Sequence, residues 1–171
     1  MPDIRHKHIR LPGHDYTTGL YFVTLCTNAR AKVLGTIADD GNAARIELTD
    51  VGRIVDECWR SIPEHFPYAR IGEMQVMPDH LHAILILGVD HGSTRWVDAT
   101  LPIPPTFHGP RRGSLGAIIG AFKSETTKRV NRLNHTVGSR LWQRGYYERI
   151  IRDQEYERIA SYIAMNPKNW R

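Results

Sequence analysis

The stretch MPDHLHAILIL, residues 77–87, places two histidines one residue apart at the start of a strongly apolar run. Side chains at positions i and i+2 of a β-strand point to the same face, so His80 and His82 would project together while Leu81 points the other way. The apolar residues that follow predict a central strand covered on both faces. Paired imidazoles can bind a metal ion, but this pattern by itself favours hydrogen-bonded structural histidines.

The sequence around this stretch predicts an antiparallel sheet. Residues 69–77, ARIGEMQVM, form a second strand that is joined to the first by the turn PD. Residues 20–27, LYFVTLCT, are aromatic and β-branched, which is typical of a strand. Residues 45–49, RIELT, follow the turn-forming DDGN as the second arm of a hairpin-like pair. A short extended segment is expected within residues 140–152.

Two segments before the C-terminus have the apolar periodicity of amphipathic helices. The first has Thr49 or Asp50 as its N-cap and Pro63 as its stop. The second has Ser114 as its cap and continues to residue 133. The apolar face of the first consists of Val51, Ile54, Val55, Cys58, Trp59 and Ile62.

A third helix closes the chain, capped by Asp153 and stopped before Pro167. Residues 88–113 are rich in glycine and proline and lack periodicity, which predicts a long loop or insertion within a single domain of residues 1–171. Strands adjacent in sequence are joined by turns, which favours antiparallel pairing. The predicted fold class is therefore α+β, a ferredoxin-like antiparallel sheet with helices packed on one face, plus this C-terminal helix.

The composition indicates a cytoplasmic protein without a membrane span. The 171 residues, 41% hydrophobic and 24% charged, fit one ordinary globular domain. The longest apolar run, residues 83–87, is too short to cross a bilayer, and the N-terminus lacks an apolar signal segment. The two cysteines, Cys26 and Cys58, are expected to be buried thiols in a reducing compartment.

The net charge of +5 is distributed unevenly along the chain. Residues 111–171 carry a charge of +8, whereas residues 1–110 carry −3. A basic C-terminal part suggests a polyanionic partner such as nucleic acid. A solvated, charged helix surface explains the same charge equally well.

The last helix presents an unusual polar stripe. Arg158, Tyr162 and Asn166 recur at intervals of four residues, so they would lie along one side of the helix. The adjacent apolar face consists of Tyr156, Ile159, Ala160 and Ile163. Periodicity alone favours a packing role for a tyrosine at the edge of such a face.

Four motifs, taken together, argue against a purely structural role for the two histidines and a packing role for Tyr162. VMPDHLHAILI, SLGAIIGAFKS, LWQRGYYERIIRD and YIAMNPKNW occur in this order, after the opening IRLPGHDYTTGLYFVTLCTNAR. The sequence thereby resembles the single-tyrosine HUH transposases, in the branch of the REP-associated tyrosine transposases. The resemblance covers essentially the full chain, apart from residues 88–113.

The resemblance implies a ferredoxin-like domain that cleaves and rejoins single-stranded DNA through a 5′-phosphotyrosine intermediate. It makes Tyr162 the nucleophile, and His80, His82 and Asn166 the ligands of Mg²⁺ or Mn²⁺. The implied partner is single-stranded or hairpin DNA, including REP-like palindromes, in the cytoplasm of a bacterial-type cell at its nucleoid. The protein would act as a monomer or as a homodimer, with the tyrosine serving its own subunit or its partner's.

Basic and aromatic residues near the C-terminus are candidates for contacts with this DNA. Arg158, one turn before Tyr162, would stabilise phosphate charge. The other candidates for phosphate or base contacts are Trp142, Arg144, Tyr146, Tyr147 and Arg149, with core packing as the other role for Trp142. Two consecutive strand residues face opposite sides, so only one of Tyr146 and Tyr147 can approach the metal. Tyr162, one helical turn from Asn166, is the better placed nucleophile.

Two other functions remain open. A metal-dependent phosphodiesterase would use the same histidines to activate water, but such sites recruit carboxylates, and the nearby Asp79 is expected to point away. A non-catalytic, domesticated relative would bind single-stranded or hairpin DNA without cleaving it. Covalent capture of DNA on a tyrosine distinguishes the transposase-type reaction from both.

Overall fold

The computed structural model of the chain describes residues 13–39, 44–88 and 110–170. Most of the insertion predicted at 88–113 lies outside the described residues. No helix in the described ranges is long and apolar enough to cross a membrane. In chain order the elements are β1 (Gly19–Cys26), β2 (Gly35–Asp39), β3 (Ala44–Leu48), α1 (Asp50–Arg60), α2 (Ile62–His65), β4 (Ala69–Met77), β5 (His80–Leu87), α3 (Leu115–Leu133), β6 (Tyr147–Ile151), α4 (Tyr156–Ala164) and α5 (Asn166–Asn169).

Four strands form one antiparallel sheet in the order β4-β5-β1-β6. The turn between β4 and β5 makes them neighbours, while β1 pairs with β5 on one side and with β6 on the other. Helices α1 and α3 pack on one face of this sheet, and α4 packs on the opposite face. The predicted α+β, ferredoxin-like class is confirmed, and the C-terminal helix occupies the side that the other two long helices leave open.

The larger core lies between the sheet and the helices α1 and α3. Alternate residues of the central strands, including Val23 and Leu85, are fully buried in it. Trp59 of α1 packs edge-on against Phe122 of α3, with ring centroids 5.1 Å apart. Such aromatic pairs contribute to stability beyond the area that they bury.

A smaller core lies on the opposite face, beneath α4. Its buried members are Phe22, Ile84, Ile151, Ile159 and Ile163. Because side chains alternate along a strand, His80 and His82 share this face with Ile84, whereas Leu81 points into the larger core. The predicted joint projection of the two histidines is confirmed.

The predicted N-caps of the first two helices are confirmed. The hydroxyl of Thr49 accepts a hydrogen bond from the amide of Gly52 at 3.1 Å, and that of Ser114 accepts one from the amide of Ala117 at 3.3 Å. The predicted stop is wrong in position, since α1 ends before Pro63 is reached. Pro63 instead lies in the first turn of α2, where no helical N–H is needed.

The predicted order of elements lacks the strand β2. This strand pairs antiparallel with β3 as a separate two-stranded sheet, so residues 45–49 are the second arm of a hairpin, as expected. The sequence GTIAD contains glycine, alanine and aspartate, which are all depleted in strands. Pairing with β3, rather than local composition, makes it a strand.

The predicted last helix is divided into three parts. A 3₁₀ turn, Asp153–Glu155, precedes α4, and the carboxylate of Glu155 accepts a hydrogen bond from the amide of Arg152 at 3.3 Å. The expected cap at Asp153 is therefore wrong, since α4 begins only at Tyr156. The helix then breaks at Met165, and α5 follows with Pro167 in its first turn. A proline inside a continuous helix would remove one hydrogen bond and clash with the preceding turn, which explains the break.

Candidate active site

A cleft of about 470 Å³ lies on the α4 side of the sheet, where β5 begins. Strand β5 supplies the two histidines, and α4 and α5 supply the remaining residues to which the family resemblance assigns chemistry. The residues that line the cleft are Thr24, Arg30, His80, His82, Tyr162, Asn166, Asn169 and Trp170. Residues more than eighty positions apart in sequence thus meet at one place.

His80 is buried and is held at its Nδ1 atom. This atom lies 2.7 Å from Oδ1 of Asp79, and the other oxygen of that carboxylate lies 2.9 Å from Nε of Arg30. A carboxylate only accepts hydrogen bonds, so Nδ1 carries the proton and Nε2 keeps its lone pair. The expectation that Asp79 points away is wrong, because Asp79 belongs to the turn before β5 and does not follow the alternation of the strand.

His82 is also buried, two residues further along β5. Its Nδ1 lies 2.8 Å from the hydroxyl of Thr24, its partner across the strands. Its ring lies 5.3 Å from that of Phe22 and 4.4 Å from that of His80. Both imidazoles are therefore fixed by hydrogen bonds at Nδ1 and by neighbouring rings.

Burial disfavours the charged form of both histidines. Loss of hydration lowers the pKa of His82 to about 3, and the nearby His80 and Arg30 act in the same direction. Burial also lowers the pKa of His80, although hydrogen bonding and charge attraction from Asp79 oppose this change. Neutral imidazoles with an available lone pair are the form that binds metal ions.

Tyr162 lies at the mouth of the cleft. Its ring centroid is 5.7 Å from that of His82 and 6.2 Å from that of Phe22, yet the residue is 52% exposed. Tyr162 combines a ring held against His82 with access to solvent, so a large substrate can reach it.

Asn166 completes a donor set that fits a divalent metal ion. Its side chain is buried and lines the cleft, but it makes no hydrogen bond to any residue in the described ranges. A carboxamide that lines a cleft without a protein partner can offer its oxygen to a ligand there. Two imidazole nitrogens and one amide oxygen suit Mn²⁺ better than Mg²⁺, which prefers carboxylates and water. No group of three or more His, Cys, Asp or Glu within the described part of the chain provides an alternative site.

The basic residues predicted to bind DNA lie outside this cleft. The guanidinium groups of Arg149 and Arg158 both contact the carboxylate of Glu155, and that of Arg158 does so at 3.1 Å. Arg149 and Glu155 line a separate cleft of about 580 Å³ near the edge strand β6. Arg144 is exposed in the loop before β6, where the ammonium group of Lys123 binds the neighbouring backbone carbonyls.

The three aromatic candidates differ in accessibility. Trp142 is buried, and its indole N–H donates to the hydroxyl of Thr126 at 2.8 Å, which confirms core packing. Tyr146 packs against the larger core beneath Lys123. Tyr147 is 46% exposed and lies on the opposite face, where it pairs with Thr24 beside the cleft. The two adjacent tyrosines therefore face opposite sides of the strand, as predicted.

Sequence reasoning did not find several cleft residues. Trp170 lies over His80, with ring centroids 5.5 Å apart, and the ammonium group of Lys32 lies 5.8 Å from its indole ring. Thr24 and Arg30 carry no local signal, because only the pairing of β1 with β5 brings them to the histidines. Asp79 does have a signal, since it directly precedes His80 and metal-binding histidines usually donate to a carboxylate.

Comparisons with known proteins agree with this architecture. No family model matches the chain. An uncharacterized protein of Haemophilus influenzae is 33% identical over 176 residues, covering 98% of this chain and 91% of that protein. The structure of a REP-associated tyrosine transposase bound to a REP hairpin is similar, with a TM-score of 0.58 and 18% identity, covering 91% of this chain and 71% of the other. The chain belongs to the same family as the Haemophilus influenzae protein, and its fold is similar to that of the REP-associated tyrosine transposase.

Proposed function

We propose that this protein is a metal-dependent, single-stranded DNA nuclease and strand transferase of the tyrosine transposase type. The observation that carries the proposal is the meeting of His82, Tyr162 and Asn166 in one cleft, although each belongs to a different element. A tyrosine ring 5.7 Å from a buried histidine, and half exposed, is positioned for chemistry on a large substrate. The transposase fold supports the same assignment.

In the proposed reaction, the hydroxyl oxygen of Tyr162 attacks a phosphorus atom of the DNA backbone. A bond forms between this oxygen and phosphorus while the bond to the 3′ oxygen breaks. The phenol loses its proton to solvent, and the departing 3′ oxygen gains one. The product is a 5′-phosphotyrosine with a free 3′-OH, and the number of phosphoester bonds is unchanged. A second 3′-OH can therefore reverse the step without an external energy source.

A tyrosine phenol has an ordinary pKa of about 10 and is a weak nucleophile at neutral pH without assistance. His80, His82 and Asn166 would hold Mg²⁺ or Mn²⁺ and leave open positions for a phosphate oxygen. When bound, the ion would supply Lewis-acid polarisation of the phosphate. The neutral histidines and the unpartnered amide of Asn166 support this role.

The proposed substrate is single-stranded or hairpin DNA, including REP-like palindromes. The transposase of similar fold was determined with a REP hairpin. In this chain, residues 111–171 carry a charge of +8, and Tyr147 offers an exposed ring on the cleft side of the sheet. Phosphate contacts should make the affinity fall steeply with salt, and unpaired bases can stack on exposed aromatic rings.

The decisive experiment is covalent capture of DNA on the protein. Incubation with a radiolabelled single-stranded hairpin oligonucleotide and Mn²⁺ should give an adduct that survives denaturing electrophoresis. Tyr162→Phe should abolish the adduct while keeping the fold and DNA affinity. Tyr147→Phe is the matched control, because that ring lies on the same face of the sheet, and it should still form the adduct. EDTA, or alanine at both His80 and His82, should prevent it without preventing DNA binding.

Each alternative function gives a different result in this experiment. Cleavage without an adduct, unaffected by Tyr162→Phe, would indicate a phosphodiesterase that activates water. DNA binding with neither cleavage nor adduct would indicate a non-catalytic binding protein. Mapping of a phosphotyrosine to residue 146 or 147 would refute the assignment of the nucleophile, and cleavage by the double histidine variant in EDTA would refute the metal site.

A further inference from the structure

A buried carboxylate connects Arg30 to His80. Asp79 is 4% exposed, and each of its oxygens has a different partner, Nδ1 of His80 at 2.7 Å and Nε of Arg30 at 2.9 Å. A buried charge is costly unless it is paired and hydrogen-bonded, so Arg30 is the cation that makes this carboxylate tolerable. The position of the His80 ring thus depends on a residue fifty positions earlier in the sequence.

The backbone that presents Arg30 is strained. Ala29 and Arg30 have φ angles of 52° and 55°, a left-handed conformation that non-glycine residues rarely adopt. The turn is anchored at Thr27, whose amide and hydroxyl both donate to the backbone carbonyl of Asp79, at 2.9 and 3.0 Å. Strain of this kind persists only where the surrounding structure imposes it, and it is concentrated at functional sites. Here Asp79 holds the turn twice, since its backbone carbonyl binds Thr27 and its side chain binds Arg30.

Arg30 retains the capacity to bind a further ligand. Its Nε is used by Asp79, and its Nη1 contacts the thiol of Cys26, a weak acceptor, at 2.8 Å. Its Nη2 makes no hydrogen bond to any residue in the described ranges, and its side chain is 49% exposed. Among the described residues that line the cleft, Arg30 alone carries a full positive charge. A guanidinium is well suited to bind phosphate oxygens.

We propose that Arg30 binds the scissile phosphate and, through Asp79, fixes the tautomer and orientation of His80. This inference rests on the proposed strand-transfer function and adds the group that would neutralise charge on the reacting phosphate. A preorganised cation stabilises charge that develops in a transition state without reorganising during the reaction. Arg30 is then a catalytic residue, and Asp79 is a positioning residue that acts through His80.

Arg158 provides a matched control. It is an arginine one helical turn before Tyr162, but its guanidinium contacts Glu155 and does not line the cleft. Arg30→Gln and Arg158→Gln remove the same charge from the two positions. Arg30→Lys keeps the charge at the cleft, and Asp79→Asn keeps the shape of the side chain without its charge.

The experiment measures three quantities for each variant, after circular dichroism has established that it is folded. They are the rate of adduct formation at saturating hairpin DNA, the dissociation constant of that DNA, and the Mn²⁺ affinity without DNA, by electron paramagnetic resonance. Arg30→Gln should slow adduct formation by about 100- to 1000-fold, as removal of one preorganised donor does elsewhere, with little change in DNA affinity. Arg30→Lys should recover part of the rate. Asp79→Asn should weaken Mn²⁺ binding by about 10- to 100-fold. Arg158→Gln removes a candidate DNA contact outside the cleft, so it should lower at most the DNA affinity and leave the Mn²⁺ affinity and the rate at saturating DNA unchanged.

A neutral methylphosphonate at the cleaved linkage tests the contact directly. It should slow wild type far more than Arg30→Gln, because the variant has already lost the partner of that charge. Equal rates for wild type and Arg30→Gln, or equal sensitivity to the methylphosphonate, would overturn the role of Arg30. Unchanged Mn²⁺ affinity in Asp79→Asn would overturn its positioning role. If wild type forms no adduct, the proposed function itself fails and the role of Arg30 fails with it, while the Mn²⁺ measurement still decides the role of Asp79.

Discussion

The free energy of unfolding should fall in mild acid because His82 is buried, and its lowered pKa determines the size of the decrease. The residue is 8% exposed, and its pKa is lowered from the ordinary 6.5 to about 3. His82 is therefore protonated near pH 6.5 in the unfolded chain but only near pH 3 in the folded protein. Because the unfolded state binds more protons within this window, the free energy of unfolding falls as the pH falls.

The magnitude follows from the width of this window. Each pH unit below the unfolded pKa costs about 1.4 kcal/mol, so lowering the pH from about 7.5 to about 5 should cost about 2 kcal/mol through His82. The limit at pH 3 is on the order of 5 kcal/mol. His80 acts in the same direction, since burial lowers its pKa as well.

The assay is urea denaturation of the metal-free protein in EDTA at the two pH values, for wild type and for His82→Asn. The amide of the variant can still bond to the hydroxyl of Thr24, but it does not titrate. Other groups with shifted pKa values, such as the carboxylates of Asp15 and Glu155, contribute equally to both proteins and cancel in the difference. Wild type should lose about 2 kcal/mol more than the variant. Equal losses would refute the conclusion that His82 is buried in its neutral form.

Three further outcomes are expected. Mn²⁺ affinity should fall less between about pH 8 and about pH 6 than it does at an exposed imidazole site, because burial lowers the pKa of both histidines; calorimetric titration showing the usual acid loss would contradict this. Ala29→Gly should raise the free energy of unfolding by about 1 kcal/mol in urea denaturation, since glycine tolerates the left-handed backbone, and a loss of stability would argue against strain there. Gly52→Ala should lower it by at least about 2 kcal/mol, because the added methyl would lie 1.9 Å from the carbonyl oxygen of Leu34. Gly120→Ala, with no atom within 4 Å of the new methyl, should instead stabilise by about 0.5 to 1 kcal/mol, and equal effects would refute the steric argument.

Local sequence predicts those strands and helix caps that depend mainly on their own residues. Strand β5 is apolar from Ala83 onwards, and the turn PD joins it to β4. The hydroxyls of Thr49 and Ser114 accept hydrogen bonds from amides in the first turns of their helices. Strand β2 was missed because its five residues have little strand propensity of their own. The predicted stop before Pro167 agrees with the end of α4 at Ala164. The short helix α5 is not predicted, because a proline permits either an end or a new first turn, and packing decides between them.

Some residues of the candidate site can likewise be predicted from local sequence, whereas others depend on tertiary pairing. The shared face of His80 and His82 follows from strand geometry. Helix periodicity places Tyr162 and Asn166 on one side, and both line the cleft although the helix breaks between them. Arg30 could not be predicted, since it reaches the site through a strained turn and the pairing of β1 with β5. The predicted contact of Arg158 with phosphate stays a prediction, because its guanidinium lies outside the cleft. Periodicity identifies the side of a helix on which a residue lies, but not that a carboxylate such as Glu155 binds it elsewhere.

The two halves of the cleft are supported by cores of different size, and this difference bears on the proposed exchange of DNA ends. His80 and His82 belong to a central strand whose other face is packed against α1 and α3, so moving them would disrupt the larger core. Tyr162 belongs to α4, a nine-residue helix whose buried contacts with the sheet are Ile159 and Ile163 in the smaller core. Displacing this helix would expose the smaller core, which also includes Phe22, Ile84 and Ile151 of the sheet. Moving the histidines would open the larger core, so displacing the helix costs less. Rejoining a different 3′-OH requires the 5′-phosphotyrosine to leave its own 3′ end, and α4 is the element of the site that can move while the histidines keep their positions.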